Sequence, residues 1–203
     1  CLVWPYKDCI LAGGQTKEDQ KDAEVFYNEI LAPDEINHLL YPKVFSKAKR
    51  FSKAGEEKAL TIEGQDNLII RGNNLLALSS ILKKYENQVK LIYLDPPYNT
   101  GNAFEYYDDG LEHSLWLDLM SQRINILKKL LSKDGFFCCH IDDSEGAYLK
   151  VLLDEIFGRK NYLTTFYIRV RYPDKTLKQD MDFHKEIEQV HIYRKEYGAK
   201  PNL

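Results

Sequence analysis

The sequence predicts an α/β fold with a largely parallel sheet, and three observations carry that reading. From residue 66 onward, short apolar runs alternate with segments of helical periodicity, at lengths suited to crossover connections. Leu91-Ile92-Tyr93-Leu94 is a continuous apolar run, the pattern of a strand covered on both faces. Leu115, Trp116, Leu119, Met120, Ile124, Leu127 and Leu131 recur at helical spacing, which marks one face of a long amphipathic helix.

Taken in order, residues 1–45 predict a helical N-terminal extension. Residues 1–16 read as a loop ending in the Gly13-Gly14 turn. A helix is expected over Lys17–Leu31, with Phe26, Ile30 and Leu31 on one face. A second should start after Pro33, with Asp34 in its first turn and Ile36, Leu39 and Leu40 on one side. Residues 46–65 are charged and hold Gly55 and Gly64, so they read as a linker. The sheet domain then occupies residues 66–203. Leu68-Ile69-Ile70 reads as a short strand, and Asn73 caps a helix bearing Leu75, Leu78, Leu82 and Tyr85. The long helix runs from Ser114 to Leu131, closed by Gly135, and Phe136–Ile141 follows as a buried strand. Glu145–Phe157 is a helix with Leu149, Leu152, Leu153 and Ile156 inward and Gly158 at its end. Two further strands are expected near Phe166–Val170 and Val190–Tyr193.

At 203 residues and 44% hydrophobic, the chain can bury one ordinary core plus an appendage. A net charge of −3 gives no basic footprint for nucleic acid in this piece by itself. Cys1, Cys9, Cys138 and Cys139 match no zinc or disulfide spacing, which fits reduced thiols and a cytoplasmic setting. No apolar run is long enough to cross a bilayer, so no membrane role is expected. The chain opens on Cys1-Leu2-Val3-Trp4 without Met and stops at Pro201-Asn202-Leu203, so both ends read as cuts in a longer protein.

Ligands of open α/β sheets bind beyond the carboxyl ends of the strands. Three polar groups are expected there: Asn73-Asn74, Asp95-Pro96-Pro97-Tyr98 and Asp142-Asp143. The second is the informative one. Two prolines straight after a strand fix the backbone, remove two N–H donors and leave two carbonyl acceptors. An acid before them and an aromatic after them complete a compact site. An exocyclic amino group is a poor nucleophile, because its lone pair is delocalised into the ring. Accepting its two N–H bonds, one by the Asp95 carboxylate and one by the Pro96 carbonyl, would draw the nitrogen toward tetrahedral geometry. Tyr98 offers a stacking face for a base that has left the helical stack.

Asp95-Pro96-Pro97-Tyr98 after an apolar strand looks like the catalytic motif of adenine-N6 DNA methyltransferases. The longer string Leu91-Ile-Tyr-Leu-Asp-Pro-Pro-Tyr-Asn-Thr-Gly-Asn102 resembles the modification subunits of type III restriction–modification systems, as do Trp4-Pro-Tyr-Lys-Asp8 and Gly13-Gly-Gln-Thr-Lys-Glu-Asp19. The likeness runs from about residue 3 to 195. It implies a permuted (beta-type) motif order and an incomplete Rossmann-like methyltransferase sheet. It also implies S-adenosylmethionine as methyl donor and a flipped adenine of duplex DNA as acceptor. A restriction subunit with nuclease and helicase activity is the implied partner, and a homodimer a further possibility. By the same likeness Asp95 and Pro96 would bind the amino group, Pro97 shape the loop and Tyr98 stack on the base. Gly72-Asn73 falls where many relatives have Gly-Asp, so Asn73 and Asp95 are the candidates for contact with the donor. No aromatic-x-Gly-x-Gly string follows in these 203 residues, so the isolated fragment is expected to be inactive. Cytosine-N4 methylation needs the same kind of site, but Ser commonly replaces the acid there. A non-catalytic assembly module of a restriction complex is the reading from another class, and methylation of an adenine-bearing duplex by the full-length protein separates the two.

The remaining polar residues have plainer readings beside the functional ones. Asn73 can serve as an N-cap while touching a ligand. Asp142-Asp143 ahead of Glu145 reads as helix-start chemistry. Cys138, Cys139 and His140 alternate on a strand, so core packing is expected and no metal site. His113, His184 and His191 are scattered and form no triad. Arg169, Arg171, Lys175 and Lys178 could meet phosphates or form a solvated face.

Overall fold

In the computed structural model, the described residues are 45–53, 55–58, 61, 66–99, 113–170 and 186–201, with the backbone of four short strands besides. The chain divides into two units, Leu31–Lys83 and a second made of Cys1–Ile30 with Lys84–Leu203.

The smaller unit holds a hairpin where a linker was expected. Ile10–Ala12 and Val25–Tyr27 are β1 and β2 of the larger unit, and the hairpin strands are β3 (Lys49–Ser52) and β4 (Gly55–Lys58). Arg50 reaches from β3 to the Asp66 carboxylate at 3.0 Å. Leu68–Ile70 forms no strand, and Ile69 is 98% exposed. An apolar run becomes a strand only where a neighbour supplies the ladder, and none pairs with it among the described residues. Helix α1 (Asn74–Tyr85) begins where expected. Asn73 Oδ1 accepts the N–H groups of Leu75 at 3.0 Å and Leu76 at 3.3 Å, as an N-cap does.

In the larger unit, β1 and β2 pair antiparallel, which corrects the loop expected at 10–12 and the helix expected through 25–27. Val25-Phe26-Tyr27 is β-branched and aromatic, a composition that favours a strand over a helical turn. The rest of that expected helix, and the one after Pro33, lie outside the described residues.

The principal sheet has the order β5-β8-β10-β9, built from β5 (Val89–Leu94), β8 (Leu131–Ile141), β9 (Tyr162–Arg169) and β10 (Ile187–Arg194). Between β5 and β8 lie a small ladder of β6 (Ala103–Phe104) with β7 (Tyr107–Asp108) and helix α2 (His113–Leu130). Helix α3 (Gly146–Phe157) joins β8 to β9. β5 and β8 pair in parallel, whereas β10 pairs antiparallel with both β8 and β9. The sheet is therefore mixed, a correction to the largely parallel expectation. The reason is topological: the helix-linked strands β5, β8 and β9 share a direction, and β10 returns between β8 and β9.

Helices α2 and α3 pack on each other and on one face of this sheet. Trp116, Met120 and Ile124 of α2, Leu149 and Leu153 of α3, and Phe137, Cys139 and Ile141 of β8 are all buried there. Each such large side chain stabilises the fold by roughly 1.5–3 kcal/mol. The other face is more open. Leu91 is 59% and Tyr93 55% exposed, so β5 is covered on one face only, contrary to the reading of its continuous apolar run. Gly135 lies within β8 rather than closing α2. A Cβ there would come within 2.9 Å of the carbonyl oxygens of Ser132 and Val89, so only glycine permits that approach. Gly158 does end α3, at φ +86°, with its N–H donating to the Asp154 carbonyl at 2.9 Å.

Candidate active site

Because β5 and β8 run in parallel, their carboxyl ends share one edge of the sheet. Asp95 follows β5 directly and Asp142 follows β8. Antiparallel β10 begins at the same edge, where Gln189 lies opposite Ile141. Segments distant in sequence thus converge on the Asp95–Tyr98 loop.

Within that loop, Asp95 is exposed, Pro96 is buried, and Pro97 and Tyr98 are half-buried. The Trp116 indole, fully buried on α2, donates to the Pro97 carbonyl at 2.8 Å. One of the two proline carbonyls is therefore engaged in fixing the loop to the core. The next residue, Asn99, sits at φ +60° and donates from Nδ2 to Glu145 Oε1 at 2.7 Å. Glu145 is only 4% exposed, and its other oxygen lies 2.7 Å from His113 Nδ1. One buried carboxylate thus ties the loop to the first residue of α2 and the start of α3.

On the more open face of the sheet runs a second polar chain. Tyr93, His140 and Glu188 come from the adjacent strands β5, β8 and β10, and strand alternation places them on one face. The Tyr93 hydroxyl is 2.9 Å from His140 Nδ1. His140 Nε2 lies 2.8 Å from Glu188 Oε2, an ion-pair distance without hydrogen-bond alignment. The Tyr98 hydroxyl donates to the same oxygen at 3.2 Å, and its ring lies 5.8 Å from the His140 ring at 56°. Burial, then the nearby Asp95 and Glu188 carboxylates, push the Tyr98 hydroxyl well above the usual phenol range. It remains a neutral donor.

The expected residues Asp95, Pro96, Pro97 and Tyr98 fall together at the edge, while Asn73 belongs to the smaller unit. Asp142 turns inward: its Oδ1 accepts the Ser144 N–H at 2.8 Å and its Oδ2 the Ser144 hydroxyl at 3.2 Å, an Asx turn ahead of α3 and not a cap on it, since the N-cap residue Glu145 makes no side-chain cap bond. No group of His, Cys, Asp and Glu among the described residues could hold a metal ion. Cys139 is buried in the core, and burial raises its thiol pKa, leaving it inert. Arg169 is exposed beside Glu186 at 3.9 Å, and Arg171, Lys175, Lys178 and His184 lie outside the described residues. Sequence reasoning missed Glu145, Asn99, His140 and Glu188. Asn99 is adjacent to the motif and His140 alternates with a core residue, so both had a local signal; Glu188 had none.

Residues 89–202, more than half of the chain, match the family described as DNA methylase, and the chain belongs to that family. The Haemophilus influenzae protein named "Probable type III restriction-modification enzyme HindVI Mod subunit" is 42% identical over 181 residues, 83% of this chain and 24% of that protein. The type III restriction-modification enzyme EcoP15I Mod subunit of Escherichia coli is 33% identical over 131 residues, 50% of this chain and 20% of its own. The chain thus spans about a quarter or less of the length of these relatives. Among solved structures, the PvuII cytosine-N4-specific DNA methyltransferase matches with a TM-score of 0.42 and 19% identity, over 60% of this chain and 48% of that one. No helix among the described residues is long and apolar enough to cross a membrane.

Proposed function

We propose that this chain carries the amino-group site of an S-adenosylmethionine-dependent DNA adenine-N6 methyltransferase, the modification component of a type III restriction–modification system. The observation that carries the reading is the Asp95–Tyr98 loop. It presents an exposed carboxylate at the carboxyl edge of the sheet while the Trp116 indole holds the Pro97 carbonyl from behind.

On this reading the target adenine leaves the duplex stack and enters against Tyr98. The Asp95 carboxylate accepts one N–H of the exocyclic amine and the Pro96 carbonyl accepts the other. Withdrawing both hydrogens from the ring plane restores lone-pair density to the nitrogen. Prepositioned acceptors act where positive charge develops on that nitrogen, and orientation toward the methyl group supplies much of the remaining rate. S-adenosylmethionine supplies a methyl group on a positively charged sulfur. Asp95, as an exposed carboxylate, suits that charge. The partners on this reading are duplex DNA and a restriction subunit with nuclease and helicase activity.

The test is methylation of an adenine-bearing duplex by the full-length protein with labelled donor, followed by identification of the modified base. N6-methyladenine is expected, and N4-methylcytosine or no incorporation would overturn the reading. Asp95→Ala should abolish turnover while leaving duplex affinity nearly unchanged, since phosphate contacts dominate binding. A methylation rate within a few-fold of the parent would refute the role given to Asp95.

A further inference from the structure

The polar chain behind Tyr98 is not needed to accept an amino group, yet it ends on the residue that would hold the base. We propose that Glu188, braced by His140, is a positioning residue that sets the plane of the Tyr98 ring through the tyrosine hydroxyl. The inference deepens the amino-group site reading and rests on it.

Three observations carry it. A phenol ring following two prolines has a fixed backbone but a free χ1 and χ2, so its plane must be set from its far end or its faces. Both contacts are present. The hydroxyl donates to Glu188 Oε2 at 3.2 Å, and the His140 ring packs at 5.8 Å and a 56° tilt. The brace itself is held in place. Val190 lies directly opposite His140, and Glu188 is two residues from Val190, so Glu188 is the diagonal neighbour of His140 on the same sheet face. Glu188 Oε2 lies 2.8 Å from His140 Nε2, while His140 Nδ1 lies 2.9 Å from the Tyr93 hydroxyl. If the Tyr93 hydroxyl donates to Nδ1, the imidazole carries its proton on Nε2, which lies at ion-pair distance from Glu188 Oε2 without hydrogen-bond alignment. The arrangement spans three adjacent strands and joins residues ninety positions apart. A stacking surface works only at the orientation of the incoming base, so an aromatic held at its tip loses less freedom on binding than a loose one.

The experiment uses the full-length protein and a duplex carrying 2-aminopurine at the target adenine, whose fluorescence rises when it leaves the stack, alongside methylation kinetics on the natural duplex. Tyr98→Phe removes the hydroxyl, which bears on the Asp95 carboxylate as well as on Glu188, and Glu188→Leu removes the acceptor together with the carboxylate beside His140. Each should lower the methylation kcat/KM about tenfold, as expected for one hydrogen bond to a charged group, and each should reduce the 2-aminopurine signal. The double variant should be no worse than Tyr98→Phe alone, because that variant has already lost the bond that Glu188→Leu removes. Glu188→Gln keeps a carbonyl acceptor and should recover activity to within a few-fold of the parent. Additive losses in the double variant, or an unaffected Glu188→Leu, would overturn the inference. Its failure is separable from failure of the site reading. If Tyr98→Ala leaves methylation unchanged, the site reading falls and the inference with it. If Tyr98→Ala abolishes methylation while Glu188→Leu does not affect it, the inference alone falls. Thermal unfolding of Glu188→Leu guards against misfolding: a folded variant without the loss counts against the proposal, and an unfolded one leaves the Tyr98→Phe and Glu188→Gln pair to decide.

Discussion

At the scale of single residues, the unusual feature is a carboxylate placed almost out of water. Glu145 is 4% exposed, yet it meets Asn99 Nδ2 and His113 Nδ1, each at 2.7 Å. Desolvating a carboxylate is costly unless its oxygens are bonded, and here each oxygen has its own partner. The partners are the residue that follows Tyr98 and the residue that opens α2, so the carboxylate converts folding energy into a fixed position for the motif loop. Glu145→Ala leaves Asn99 Nδ2 and His113 Nδ1 without their acceptor and should destabilise the fold by about 2 kcal/mol. Asn99→Ala should cost less, about 1 kcal/mol, because His113 still faces the acid. Urea unfolding of both variants checks the order. Equal and negligible losses would show that the contact has no anchoring value.

At the scale of elements, β5 is the exposed margin of the sheet. It pairs with β8 on one side, and among the described residues no strand lies on its other side. An apolar strand with unpaired N–H groups is a template for another chain. Amides of Lys90–Leu94 should therefore split into two classes by hydrogen exchange, those donating to β8 slow and the alternate ones fast. All amides of Phe137–His140, in a strand flanked on both sides, should be slow. Uniform protection across β5 would mean that a further strand covers it in solution. Leu91→Lys, at a 59% exposed site, should change stability by less than about 0.5 kcal/mol and should reduce any self-association seen by sedimentation. The same strand shows what the sequence could and could not reveal. Its existence, the Asn73 cap, both long helices and the placement of Asp95 at a strand end follow from periodicity and local chemistry. Its half-exposed state does not, because Leu91–Leu94 reads the same whether one face or two is covered. Leu68–Ile70 fails as a strand for lack of a neighbour, and Val25–Tyr27 pairs where a helix was expected. In both cases the decision rests with a distant segment. Glu188 was invisible for the same reason: only the return of β10 beside β8 brings it to Tyr98.

For the molecule as a whole, the buried histidine at the junction of sheet and helix makes folding stability depend on pH. His191 of β10 is almost fully buried; its Nδ1 lies 2.9 Å from Thr165 Oγ1 of β9 and its Nε2 3.3 Å from the carbonyl of Gly146, the first residue of α3. A neutral imidazole satisfies both contacts, donating from Nε2 and accepting at Nδ1. Burial lowers its pKa below the ordinary 6.5, the Gly146 carbonyl and Asp154 oppose that shift, and Lys150 adds to it. The positive end of the α3 dipole also disfavours a cation there. The sign of the linkage follows. Below about pH 6.5 the unfolded chain takes up a proton that the folded chain resists, so folding stability is full above that value and falls as pH drops toward the folded pKa. His191→Gln can keep one of the two contacts and cannot titrate in this range. Urea unfolding of parent and variant at pH 7.5 and pH 5.5 should show a larger acid loss in the parent, with the variant's curve the flatter of the two. Parallel curves would place the acid sensitivity of this fold elsewhere, in its carboxylates rather than in His191.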